Sequence, residues 1–324
     1  MTSSRDVVSL TTAGLSPETV QASYDFCDRW SREAGSSFCL AFLLLPGAKR
    51  RAMSALYAFM RHTDDLADNP QPAQLRSEAL TVWRAALEHA LLGRFERRAD
   101  SPPKPDTPDP VQKRLGLAIL PALADTVERF QIPPEHLRAA IDGAEMDLRK
   151  QRYETFAELQ QYCQLVASTV GLACVHVWGF RSNEAFGPAR QCGIALQLTN
   201  ILRDLREDAE NDRIYLPLED LRRCDYSADE LIRGKADERF DRLVAMEVAR
   251  AKECYGEGAE LMHWLEPDGR RIFGMMMSTY RALLTRIEQR PREVLARRVR
   301  LGRSQKLRIA ARWALLPPRM AALQ

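Results

Sequence analysis

The sequence predicts an all-α fold, a helical bundle with a cavity between its helices. Two patterns exclude other classes: apolar residues recur at helical spacing along nearly every segment, and no stretch of strict alternation survives as a strand. A third places the cavity, because polar residues stand in register on helices that are otherwise apolar. No repeat of about 20–50 residues is present, so a solenoid is excluded.

The elements follow in order. After Pro46, Met53, Leu56, Tyr57 and Met60 give an apolar stripe that runs toward Asp64. Ser77 to Leu92 is a second amphipathic helix, and the proline-rich stretch Asp100 to Pro110 is a surface loop. Pro133-Pro134-Glu135 starts a helix that continues through Met146 toward Lys150. Thr155 to Phe180 is long and apolar, and Asn183 is placed to cap the helix that follows, through Gln197 and Asn200. Beyond Pro217, Arg239 to Trp264 and Asp268 to Arg286 read as two further long helices, about ten helices in all.

At 324 residues and 45% hydrophobic, the chain can bury a substantial core as one large domain or two smaller ones. Its net charge of +3 provides no global field for nucleic acid. The charge is uneven, with ten Arg or Lys and the single acid Glu293 from Arg290 onward. Such a segment suits anionic lipid, the diphosphates of a substrate, or simply a solvated basic helix face. The seven cysteines form no CxxC pair and no His stands at metal spacing, so zinc is not expected and the thiols suit a reduced, cytosolic protein. The first residues lack a signal-peptide pattern. Cys163 to Phe180 is uncharged for 18 residues, but its polar side chains and two glycines favour a helix buried in protein over a membrane span.

The chemistry is concentrated in two aspartate clusters, Asp64-Asp65-Leu66-Ala67-Asp68 and Asp204-Leu205-Arg206-Glu207-Asp208, 140 positions apart. Each stacks carboxylates at i and i+4 on one helix face and has an arginine just upstream, Arg61 or Arg203. Arg61 is expected on the face of Asp64 and Asp68, with Asp65 pointing away. One such cluster is weak, since aspartates on a solvated helix end are common. Two on long apolar helices suggest a Mg²⁺ site of two or three ions for a polyphosphate substrate. Gln197, Asn200, Asp204 and Asp208 form an inward polar stripe, which marks a site because burying such groups unpartnered is costly. His62 is read as a bystander, since Mg²⁺ prefers oxygen.

Three blocks, Tyr57–Asp68, Tyr162–Gly171 and Ala195–Pro217, resemble the squalene/phytoene synthases, over about residues 25 to 310. The stretch Gln-Leu-Thr-Asn-Ile-Leu-Arg-Asp, with Arg-Ile-Tyr-Leu-Pro after it, is the most specific part. The resemblance implies an isoprenoid synthase-type fold, one domain over residues 1–324, and an enzyme joining two prenyl diphosphates head to head. It implies Asp64, Asp68, Asp204 and Asp208 as Mg²⁺ ligands, and Arg61, Arg203 and Arg213 as diphosphate contacts. Gln197 and Asn200 would arrange the metal–diphosphate cluster, Tyr57, Tyr162 and Tyr280 would stand near the reacting carbons, Phe38 would line the cavity and Arg298 would close it. Gly35 departs from the family pattern, which usually has a serine there.

Substrate length rests on Phe42, one turn beyond Phe38, whose ring is expected to shorten the cavity floor. That favours two C15 farnesyl diphosphates and presqualene diphosphate or squalene as product. Phytoene synthesis from two C20 geranylgeranyl diphosphates is the alternative. No Gly-rich dinucleotide fingerprint appears, so a product that needs no reductant, or presqualene diphosphate passed to downstream isoprenoid enzymes, is preferred to NADPH-dependent squalene formation. A cytoplasmic location is expected, with peripheral contact at the inner face of a membrane through Arg297–Arg312 and the Trp313-Ala-Leu-Leu end.

Overall fold

Proline placement sets several helix starts: Pro46, Pro72 and Pro133 each stand just ahead of a first turn, where a missing N–H costs nothing. The computed structural model describes residues 15–33, 37–93 and 110–320. In chain order the helices are α1 (Pro17–Glu33), α2 (Ser37–Phe42), α3 (Gly47–Ala67), α4 (Ala73–Leu91), α5 (Pro110–Arg129) and α6 (Pro134–Arg149). Then come α7 (Phe156–Cys163), a π turn (Gln164–Ser168), α8 (Thr169–Trp178), a 3₁₀ turn (Asn183–Ala185) and α9 (Phe186–Glu210). The last part holds α10 (Leu218–Arg223), α11 (Ala228–Ile232), α12 (Glu238–Ala259), α13 (Leu261–Trp264), α14 (Pro267–Gln289), α15 (Glu293–Ala296) and α16 (Arg303–Leu315). Among the described residues the only β-type pairings are two isolated bridges.

The longest helix, α9, is the axis of the bundle. It packs along α12 on one side and against the π turn, α8 and α14 on the others. The other wall is α3, which touches α5, α1, α6 and α8. Gly193 explains how closely α9 approaches the π turn, since a Cβ there would lie 2.6 Å from Ser168 Cα. The Ser168 hydroxyl also donates to the Arg190 carbonyl at 2.8 Å. A mid-helix glycine costs about 1 kcal/mol in propensity, and here it permits backbone-to-backbone contact.

Several expectations are refined. The run Arg239 to Trp264 breaks after Ala259, leaving α13 as a separate turn. Ser182, not Asn183, caps the segment before α9: its backbone is extended and its hydroxyl accepts from the Glu184 N–H at 3.3 Å. Cys163 to Phe180 is a helix packed within the protein, interrupted by the π turn. No helix of the described residues is long and apolar enough to cross a membrane. Trp313, expected to face lipid, is buried against α14, while Leu315 and Leu316 remain exposed. Of the stretch expected as a surface loop, Asp100 to Asp109 lies outside the described residues, and Pro110 opens α5.

Candidate active site

Between α3, α6, α8, α9 and α14 lies a cavity of ≈ 520 Å³. Its lining on α9 runs from Asp208 back to Ala189, about 28 Å of helix axis at 1.5 Å per residue. The two ends differ in chemistry. At one end Asp64 and Asp68 of α3 share the space with Asp204 and Asp208 of α9. At the other, Met53, Trp178, Leu261 and Phe273 form an apolar floor. Lys49 donates to the Trp178 carbonyl at 2.7 Å, so the first turn of α3 and the end of α8 close that end together.

The aspartate end is electrostatically loaded. Asp64 is exposed to the open space of the cavity, yet the surrounding walls hold it out of bulk solvent. That burial, with Asp68 one turn on, pushes its carboxyl up to about 7. Burial and Asp204 do the same to Asp208, also to about 7. Four carboxylates facing one space, two of them reluctant to ionise, call for cations. Three arginines supply part of the answer. Arg213 reaches across from the end of α9 to Asp68 at 3.2 Å. Arg203 and Arg298 both hold Asp204, each through a Nε contact of 2.9 Å. Among the described residues no three His, Cys or carboxylate donors converge into a ready-made metal cage. The donor set still fits Mg²⁺, a hard cation that takes one or two carboxylates and completes its shell with substrate phosphate and water.

Just below the aspartates the walls become hydroxylic and amidic. Asn200 Nδ2 donates to Gln197 Oε1 at 3.3 Å, and Tyr280 lies beside Asn200 and Arg203. Across the cavity, Tyr162 and Tyr215 stack at 5.2 Å, and both hydroxyls donate to Asp147, at 2.7 and 2.8 Å. Burial drives both phenols upward, so they stay protonated as donors. Backbone pairing of Ile214 with Gln151 and of Leu218 with Tyr153 holds the loop that delivers Arg213 and Tyr215 beside α7.

Of the residues expected from the sequence, Phe42, Tyr57, Asp64, Asp68, Tyr162, Gln197, Asn200, Arg203, Asp204, Asp208, Arg213, Tyr280 and Arg298 all line this one cavity. Arg61 does not. It is exposed and pairs with Asp65 at 3.0 Å, because the i+4 carboxylate is nearer to its reach than the cavity-facing Asp64. The Phe38 side chain lies outside the described residues. Phe42 lines the cavity, its ring edge-on to Tyr57 at 6.2 Å. His62 packs on Trp30 and Trp83 and is not part of the lining. Sequence reasoning missed Asp147, Tyr215 and the floor. Tyr215 stood inside the quoted Arg-Ile-Tyr-Leu-Pro block, whereas Asp147, one of four acids on α6, carried no local signal to set it apart.

A squalene/phytoene synthase family model matches residues 31–305. The chain belongs to the squalene/phytoene synthase family. It is a prenyltransferase of that family, as the three resembling blocks implied. A 15-cis-phytoene synthase of Synechocystis sp. is 35% identical over 301 residues, covering 89% of this chain and 83% of that protein. A phytoene synthase of Arthrospira platensis is 36% identical, covering 87% and 89%. Among solved structures, a dehydrosqualene synthase in complex with ligand superposes with a TM-score of 0.77 at 25% identity, covering 91% of this chain and 96% of that one. The squalene synthase HpnC from Alicyclobacillus acidocaldarius gives 0.73 at 26% identity, covering 85% and 96%. The fold is thus the isoprenoid synthase bundle of these enzymes.

Proposed function

We propose that this prenyltransferase couples two C20 geranylgeranyl diphosphates head to head, yielding phytoene. The observation that carries this is the 35% identity to a 15-cis-phytoene synthase across nearly nine-tenths of the chain, against 25–26% for the dehydrosqualene and squalene synthases. The cavity agrees. Between α8 and α9 its deep half is lined by small residues, Gly171, Cys174, Ala189, Cys192 and Gly193, which leave length for a long chain.

The residues divide the work by depth. Asp64 and Asp68, with Asp204 and Asp208, would hold Mg²⁺, which when bound neutralises charge on the departing diphosphate. Arg203, Arg213 and Arg298 now pair with those aspartates, and their forked guanidiniums suit diphosphate oxygens once substrate enters. Gln197 and Asn200 orient the same group from the adjacent turns of α9. When the C1–O bond of one substrate breaks, the π faces of Tyr162, Tyr215 and Tyr57 are placed to stabilise the allylic cation. The apolar wall below excludes water that would trap it. The double bond of the second chain then bonds to C1, and loss of a proton closes a cyclopropane. A phytoene product requires departure of the second diphosphate and loss of a further proton, with no hydride donor. Tyr162 and Tyr215 stay protonated and act as hydrogen-bond donors and aromatic surfaces, not as nucleophiles.

The deciding experiment supplies Mg²⁺ and each prenyl diphosphate separately, with and without NADPH, and identifies products by mass. A C40 hydrocarbon from the C20 substrate, formed without NADPH, is expected. Coupling of the C15 substrate alone would restore the presqualene diphosphate assignment, and coupling of neither by folded protein would sink the enzymatic one.

A further inference from the structure

α16 has one face that the bundle uses and one that it does not. Trp313 fills the space left by Gly274 and donates its Nε1–H to Ser278 at 2.9 Å, which seats the helix on α14. On the opposite side stand Leu307, Ala311, Ala314 and Leu315, all exposed, the two leucines by 69% and 78%. At 100° per residue these four cover about a 100° arc, which also takes in Ser304 in the first turn, with Arg303 at one edge and Arg308 at the other. An apolar stripe edged by cations is the pattern of a helix lying in a membrane interface.

Two further observations bear on the occupant. Leu40 and Leu43, at the end of α2 and just after it, are 59% and 64% exposed, and α2 packs on α14 as α16 does. The charge is also one-sided. Arg292, Arg297 and Arg298 are engaged by Asp241, Glu293 and Asp204, whereas exposed Arg300, Arg303, Lys306 and Arg308 have no ion pair among the described residues. No acid follows Glu293 in the chain. α14 stands between this face and the cavity, with Phe273, Met276 and Tyr280 on the cavity side.

We propose that α16, with the leucines of α2 beside α14, docks the enzyme on an anionic lipid bilayer, one helix away from the cavity that holds its greasy product. A second copy of the same face would set cations against cations, and a polyanion without an apolar phase would leave the leucines in water. The purpose of docking rests on the lipid-forming reaction proposed above. Docking itself is measured without substrate, so the two ideas fail separately.

The test is co-sedimentation of the full chain with phosphatidylcholine vesicles with and without phosphatidylglycerol, at low and high salt. Binding to the anionic vesicles that weakens with salt is expected. Each cation near such a surface contributes about a fivefold factor, so Arg303→Glu with Arg308→Glu lowers partition at least about twentyfold. Leu307→Ser with Leu315→Ser lowers it at both salts, and circular dichroism and activity on detergent-dispersed substrate stay at wild-type levels for both pairs. Equal binding of wild type and variants, equal binding to neutral vesicles, or no binding at all overturns the proposal. So does a leucine pair that dissolves a dimer in solution while vesicle binding is retained, which would assign the face to a second copy.

Discussion

Asp204 is the most heavily engaged carboxylate of the site, held by Arg203 from its own helix and by Arg298 from the chain after α15. Its replacement removes one of the proposed Mg²⁺ ligands and an anchor for two guanidiniums at once. Asp204→Asn is expected to lower kcat by about 10²–10³-fold, with a thermal midpoint close to wild type, as checked by steady-state kinetics over a Mg²⁺ titration. Asp147 has a different task. It accepts from Tyr162 and Tyr215 together, and an amide cannot accept both bonds as well. Asp147→Asn is expected to destabilise by about 1.5–3 kcal/mol in denaturant unfolding, and Tyr215→Phe by less, because hydrogen bonds to a charged acceptor are the stronger kind. The sequence disclosed Asp204 through its spacing from Asp208. It did not disclose Asp147, whose partners come from positions 15 and 68 residues away and meet only after folding.

Among elements, α9 shows how packing and site are coupled. Its Gly193 meets the π turn backbone to backbone, so Gly193→Ala forces either helix to shift. An overpacking cost of about 1–3 kcal/mol is expected, with a fall in activity, read by thermal unfolding and initial rates. The join between α6, α8 and α9 carries a pH response. His136 and His176 lie 6.2 Å apart, and His176 stacks on Phe186 at 5.6 Å. Burial lowers both imidazoles below the ordinary histidine value. At these two sites the folded protein therefore binds fewer protons than the unfolded chain in mild acid. The contribution of these two imidazoles to stability is complete above about pH 6.5 and is lost as the pH falls through their folded-state values. His176→Phe is expected to lose less of its thermal midpoint than wild type between about pH 7 and pH 5. Element positions were legible from apolar spacing and proline placement. The π turn was not, because it has no residue signature of its own.

For the whole molecule, the question is where chain length is measured. The aspartates stand at one end and Trp178, Leu261 and Phe273 at the other, so under the proposed function the side chains between α8 and α9 would set the usable length. Cys174→Leu is expected to lower kcat/KM for the C20 substrate relative to the C15 one by at least about tenfold, as direct competition between the two would show. An unchanged ratio would place the ruler elsewhere.

By itself the sequence determined the helical class, the two carboxylate pairs with their amide stripe, and the family, because each is written in short-range spacing that a helix converts directly into a shared face. Only the tertiary structure decided that Arg61 turns to Asp65, that Asp147 anchors two tyrosines and that Trp313 is buried. Those outcomes depend on which helix lies opposite, and local spacing carries no record of that.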